Sequence, residues 1–192
     1  LALMLKKLRK DFYVPDPQIL NAKDFGLPQN RERIFIVGFL KKTGLFSFPK
    51  ITNKKTILGN ILGKNIKNSY SISTRLWEGH KKRKAKHKKN GNGFGYSLFD
   101  KKSSHTNTLS ARYYKDGSEI LIYRGKNKNP RMLTERECAR LQGFPDTFKI
   151  PVSRTEAYKQ FGNSVPVYVV KEIAMQVLKY LNTQAYTAKI AS

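Results

Sequence analysis

The stretch Gln29-Asn30-Arg31-Glu32-Arg33-Ile34-Phe35-Ile36-Val37-Gly38-Phe39-Leu40 decides the fold class. Residues 34–40 form a continuous apolar run of strand length. A run without polar alternation fits a strand covered on both faces, as in an α/β sheet. Just ahead of it, Gln29, Arg31 and Arg33 alternate. In extended backbone alternate residues share a face, so the three project together. Two guanidiniums and an amide so placed can hold phosphates and the polar edge of a base. The alternative is a pair of surface arginines matched by carboxylates such as Glu32.

Towards the amino terminus, residues 21–28 read as a loop, and Pro15 and Pro17 interrupt any regular element. Before them Leu1, Met4, Leu5 and Leu8 recur at helical spacing between lysines and arginines, the pattern of an amphipathic helix end. The first residue is Leu1, which points to a processed, truncated or partial chain.

In the other direction the composition changes from about residue 48, where Lys, Asn, Ser and Gly dominate and helical periodicity is poor. The densest charge run spans residues 80–89 and includes Arg83 and Lys84. The glycines at 91, 93 and 95 resemble a nucleotide cradle. Such a cradle requires a strand before it and a helix after it, whereas here lysines precede and no helix follows. A flexible loop meeting DNA through Gly91 and Gly93 fits better, with nearby cations on phosphates. Residues 108–114 and 119–123 read as strands joined by a Lys115-Asp116-Gly117-Ser118 hairpin turn. The middle of the chain therefore reads as a small, irregular, β-rich lobe.

Regular structure returns near Pro130. Thr134 followed by Glu137 is a capping box, which starts a helix running to about Gln142, and residues 143–146 stop it. Thr155 to about Phe161 is a second short helix. Pro166 fits the first turn of a third, whose apolar positions Val169, Val170, Ile173, Ala174, Val177, Leu178 and Leu181 keep helical spacing. A frayed tail is expected from Asn182. Between the last two helices, Gly162 permits a tight turn, and Asn163, Ser164 and the amides of the following helix can bind a carboxylate. An ordinary helix cap is the alternative.

The totals bound the partner. In 192 residues, 38 Lys+Arg face 13 Asp+Glu, a formal net charge of +25. That excess implies a polyanion, most simply nucleic acid, because neutralising phosphates releases condensed counterions; the alternative is a highly solvated surface. Acidic membrane is the weaker rival, since neither a long apolar run nor a long Lys-rich amphipathic helix is apparent. The single cysteine, Cys138, excludes an internal disulfide and a Cys-only metal site. His80, His87 and His105 lack metal-ligand spacing, so no metal is expected. Nothing resembles a signal peptide, and a cytoplasmic protein is expected. Cys138 lies mid-helix among apolar neighbours, a setting for a buried thiol and not for a reactive thiolate.

Three segments in order, Gln29-Asn30-Arg31-Glu32-Arg33-Ile34, Arg131-Met132-Leu133-Thr134-Glu135-Arg136-Glu137-Cys138 and Gln160-Phe161-Gly162-Asn163-Ser164-Val165, resemble the last three motifs of DNA cytosine-5 methyltransferases. The resemblance covers about residues 21–181. It implies the C-terminal part of a Rossmann-like α/β domain: residues 1–47 ending the catalytic domain, 48–128 a target-recognition region, and 129–192 closing helices that return to the catalytic domain. It implies that Gln29, Arg31 and Arg33 position the base and backbone of duplex DNA. It further implies that Asn163, Ser164 and Val165 line the carboxylate end of S-adenosylmethionine. Residues 91–96 and 108–122 resemble the Dcm-like branch, whose members modify CCWGG, with relatives acting on CCGG or CCNGG. Arg112 and Lys115 are then candidate donors to guanine, and Thr108 a phosphate contact. Tyr114 is a candidate DNA contact, and sheet packing is the alternative for both Tyr113 and Tyr114.

The departures matter as much. The chain has no Phe-x-Gly-x-Gly loop after a strand, no Pro-Cys nucleophile and no Glu-Asn-Val carboxylate. A bacterial restriction–modification enzyme lacking its nucleophile is therefore expected, one that needs an N-terminal methyltransferase half as partner. A non-catalytic basic DNA-binding module and a remnant of a broken gene are the rival readings.

Overall fold

A computed structural model describes residues 1–42, 44–52 and 54–190, with backbone only over 183–190. Five helices and four short strands follow in mixed order. Helix α1 (Ala2–Asp11) buries none of its residues. Strand β1 (Gln18–Asn21) pairs antiparallel with β2 (Glu32–Phe35), with Ile19 opposite Ile34. The isolated bridge between Tyr13 and Phe39 continues the same ribbon.

This ribbon corrects the reading of residues 34–40. The regular strand ends at Phe35, and Ile34 and Ile19 are 45% and 66% exposed. The opposite face is covered. Leu20, Ala22, Phe25 and Leu27 pack against Val169 and Ile173 of α5 (Val167–Ile190), with Phe35 and Val37 beside them. Among the described residues nothing covers the outer face. The apolar run is thus a surface on one side and a core on the other.

The middle segment also differs from its sequence reading. The basic run lies in a 16-residue helix, α2 (Thr74–Lys89), capped by the Ser73 hydroxyl, which accepts from the Leu76 amide. Its helical character was masked by the six lysines crowded into residues 81–89. Those stems are good helix formers, and the basic last turn suits the negative end of the helix dipole. A long Lys-rich helix is therefore present after all. The expected hairpin is absent. Residues 111–116 form consecutive turns, and the only regular strands of this segment among the described residues are β3 (Leu98–Phe99) and β4 (Leu121–Ile122), paired in parallel. Single bridges join Ile122 to Arg131 and Arg131 to Ser71. Tyr113 explains the lost hairpin: its buried hydroxyl donates to Ile120 O (2.7 Å) and accepts from the Leu133 amide (2.7 Å). Those bonds pull the chain into the core, and only the positive φ of Gly117 survives from the anticipated turn. The lobe is irregular as expected, but it is not β-rich.

The closing helices follow the sequence pattern. Helix α3 (Glu135–Leu141) has the full Thr134–Glu137 capping box, and α4 (Arg154–Asn163) starts at a Ser153 cap. Helix α5 runs past Asn182 to Ile190, where a frayed tail was expected. One core joins the middle segment to these helices: Leu58, Leu109, Tyr113 and Ile120 pack with Leu133, Cys138, Leu141, Tyr158 and Phe161.

Candidate DNA and cofactor interface

Arg31 lies where three segments meet. Its guanidinium donates to Leu109 O (2.8 Å) in the middle segment, and to Gly162 O (2.9 Å) and Ser164 O (2.8 Å) at the end of α4. It is nearly fully buried and faces no carboxylate among these partners. The carbonyls at a helix C-terminus carry partial negative charge and lack intrahelical donors, so they can compensate a buried cation. Burial, reinforced by the nearby Arg33 charge, lowers the Arg31 pKa below its ordinary value, to about 10. The group therefore stays charged at neutral pH. Its Nε–H has no partner among the described residues.

Gln29 works beside it. Fully buried, it donates through Nε2 to Leu141 O (3.2 Å) and accepts from the Leu109 amide (2.9 Å). The alternating face expected of Gln29, Arg31 and Arg33 is thus divided. Gln29 and Arg31 point inward and bind backbone, while Arg33 is exposed and donates to Glu32 O.

Gly162 makes this junction possible. A Cβ at this position would lie 2.3 Å from the carbonyl carbon and oxygen of Ser110 and 2.4 Å from the Ala111 amide. Only glycine lets α4 approach the middle segment so closely. Gln142, which sequence reasoning passed over as a helix end, completes the knot. Its Nε2 donates to Phe161 O (2.8 Å), and its carbonyl accepts from the Val167 amide (2.8 Å), so it ties α3 to both α4 and α5. The only sequence signal was a polar residue directly before a glycine stop.

The turn between α4 and α5 presents Asn163 and Val165 to solvent. Ser164 is half-buried, and its hydroxyl donates to Phe161 O (2.8 Å). Of the three proposed cofactor contacts, Asn163 alone offers a side-chain donor without an intramolecular partner among the described residues. The Val167 amide, one of the helix amides expected to be open, is taken by Gln142.

The candidate DNA contacts fall into two groups. Gly91, Gly93, Arg112 and Lys115 are exposed. The others are at least partly engaged within the protein. Arg83 pairs with Asp116 (3.3 Å), and Lys84 donates to Tyr96 O (3.0 Å) and sits over the Tyr96 ring. Thr108 donates to Asn30 O (2.7 Å), and half-buried Tyr114 packs on the core beneath Lys159. His80 is buried against Asp116 O.

Behind the site, Arg131 and Glu137 form a buried bidentate ion pair (2.7 and 2.8 Å). Glu137 also accepts from the amides of Gly63 (2.7 Å) and Thr134 (2.7 Å), so both its oxygens are satisfied. Cys138 is buried beside it, and burial, followed by the Glu137 charge, pushes its thiol well above the ordinary range. That is the opposite of what a nucleophilic thiolate needs. Among the described residues no His, Cys, Asp and Glu cluster could hold a metal, and no helix is long and apolar enough to cross a membrane.

The motifs at the Gln29–Arg33 and Gly162–Val165 segments meet at one junction, and comparison with known proteins gives the family. Residues 1–179 match the model of C-5 cytosine-specific DNA methylases, and the chain belongs to that family. It is 54% identical over 185 residues to the type II methyltransferase M.DsaV of Dactylococcopsis salina, covering 95% of this chain and 52% of that protein. It is 55% identical to M1.ScrFI of Lactococcus lactis subsp. cremoris, covering 93% and 46%, and 42% identical to the DNA-cytosine methyltransferase of Escherichia coli K12, covering 83% and 39%. The chain thus spans about half the length of these relatives. Among solved structures, Schizosaccharomyces pombe Dnmt2 methyltransferase superposes with a TM-score of 0.75 at 20% identity, covering 94% of this chain and 62% of that one. That likeness is one of fold, a Rossmann-like methyltransferase architecture.

Proposed function

We propose that the chain is the DNA-recognition and cofactor-closing portion of a cytosine-5 methyltransferase. With an amino-terminal half it transfers methyl from S-adenosylmethionine to cytosine C5 in a CCWGG-, CCGG- or CCNGG-like duplex, in the cytoplasm of a bacterium with a restriction–modification system. The observation that carries the reading is the Arg31 junction. One side chain ties the Gln-x-Arg-x-Arg segment to the middle segment and to the Gly-Asn-Ser-Val turn, so the elements for base, DNA and cofactor hold one relative geometry.

The division of labour follows from the chemistry. The cofactor supplies the methyl group, and a cysteine outside this chain supplies the attack on the cytosine ring, which must leave the base stack to be reached. Residues 1–47 and 129–192 build the wall of the catalytic domain, with 48–128 as the recognition region. Arg33 reaches the backbone or base, while Gln29 and Arg31 act as positioning residues. Asn163, Ser164 and Val165 border the carboxylate end of the cofactor. Arg112 and Lys115 read guanine, and Gly91 and Gly93 let the loop approach the duplex.

Mixing tests this. The chain is combined with the amino-terminal part of M.DsaV, which is to supply the Phe-x-Gly-x-Gly loop, Pro-Cys and Glu-Asn-Val. Labelled S-adenosylmethionine and duplexes carrying the three sites are then added. Methyl transfer only in the mixture is expected; no transfer in any mixture overturns the reading. The +25 charge favours a second reading, a basic DNA-binding module without catalysis. Tight, salt-sensitive duplex binding with no transfer in any mixture would select it.

A further inference from the structure

Helix α2 has two faces with different work. Its inner face is used by the protein itself. His80 is buried, Trp77 meets the Tyr96 ring at 4.6 Å, and His87 meets Phe94 at 5.7 Å. Arg83 and Lys84, though basic, lean to this side and are held by Asp116 and by Tyr96. Opposite them, Arg75, Lys82, Lys86 and Lys89 recur at i, i+7, i+11 and i+14, which places them in one stripe on a helix of 3.6 residues per turn. All four are exposed, and none has an ion pair or side-chain hydrogen bond among the described residues. The only acid in α2, Glu78, is already taken by Lys81 (2.5 Å).

We propose that this outer stripe of α2 is a phosphate-tracking surface that grips duplex DNA independently of sequence. It rests on the reading of the chain as a DNA-recognition portion and adds a second grip to it. The stripe is about 21 Å long, which matches the rise of about six phosphates on one strand. Lys82 and Lys86 are like charges at i,i+4, an arrangement that weakens a free helix. An anionic partner relieves that repulsion. A bilayer does not fit, because a membrane-surface helix needs a free apolar face, and the residues opposite the stripe are packed on Asp116, Tyr96 and Phe94. Through His80 and Arg83 the same helix braces the turn that carries Arg112 and Lys115. The stripe therefore holds backbone while the braced turn meets bases.

Phosphate contacts fix affinity and salt dependence but carry no sequence information. The chain is titrated with a fluorescent duplex containing its site and with a scrambled duplex, over a range of salt. The triple substitution Lys82→Gln/Lys86→Gln/Lys89→Gln is compared with Lys6→Gln/Lys7→Gln/Lys10→Gln on α1, which removes the same charge elsewhere. The α2 variant is expected to lower the slope of log affinity against log salt by about 2.7 on both duplexes, from three contacts at about 0.9 each, with the ratio between duplexes unchanged. The α1 variant is expected to change the slope little. Equal slope changes in both variants would mean that net charge alone acts, and would overturn the proposal. So would an unchanged slope in the α2 variant, while the DNA reading itself stood. An unmodified chain that binds neither duplex would overturn both, and tighter binding to duplex RNA than to DNA would overturn the choice of partner.

Discussion

The junction around Arg31 is largely polar, the outer faces of α1, β1–β2 and α5 carry exposed apolar side chains, and the two end in opposite states. At the junction most polar groups are matched, Arg31 Nε and Gln142 Oε1 being the exceptions among the described residues, and behind it Glu137 takes four donors. On the outer face Leu3, Ile19, Ile34, Leu178 and Leu181 stand exposed. The buried residues Val169, Ile173 and Tyr180 of α5 keep helical spacing, and so do the exposed Val170, Leu178 and Leu181 beside them. Side-by-side apolar stripes, one covered and one open, describe a helix made to be enclosed on two sides. Large apolar surface left open marks an interaction site. The difference teaches that the junction is largely matched within this chain, whereas the exposed apolar stripe of α5 is a surface on which the proposed amino-terminal half would pack.

The comparison breaks most readily at the ion pair. Glu137→Ala leaves Arg131 buried without its carboxylate and should cost about 3–5 kcal/mol, read as a fall in the denaturant midpoint. A loss below about 1 kcal/mol would mean that the junction is looser than its geometry. Gly162→Ala forces a methyl against the Ser110 backbone and should cost about 1–3 kcal/mol in the same assay, with the Arg31 contacts disturbed as well. Thr134→Ala removes half of the capping box and should cost about 1 kcal/mol, with an unchanged denaturant slope. The outer face sharpens the contrast from the other side. Leu178→Gln/Leu181→Gln should change the stability of the isolated chain by no more than about 0.5 kcal/mol, because both side chains are already in water. The same variant should lose methyl transfer when mixed with an amino-terminal half. Full transfer by that variant would remove the outer face as a docking surface.

Much of this was legible in order along the chain. Local signals carried α3 and the start of α5, because a capping box and a proline act on their own neighbours; α4 was placed from Thr155 without its Ser153 cap. The apolar stripes of α5 were visible as a pattern, although not which of them is covered. Residues 34–40 misled because a continuous apolar run reports what a segment needs and says nothing of what is present to cover it. Lysines crowded into residues 81–89 hid α2, since its few inward residues, Trp77, His80 and His87, are aromatic or titratable and weak in periodicity. The hairpin failed for a different reason: two bonds from the Tyr113 hydroxyl outweigh the turn preference of Asp-Gly. Among the site residues, alternation put Gln29, Arg31 and Arg33 on one face. Only the packing of α4 against residues 109–111 turned the first two inward.

The sequence by itself determined the family, the basic character, the unreactive setting of Cys138 and the presence of three helices near the carboxyl end. Each depends on residue identity or on neighbours within a few positions. The tertiary structure alone decided that Arg31 binds three carbonyls, that Gln142 ties three helices, that Arg83 and Lys84 lean inward while Lys82, Lys86 and Lys89 face solvent, and that one face of α5 stays open. Those outcomes depend on which distant backbone reaches a side chain first. Residue spacing along a chain does not encode that.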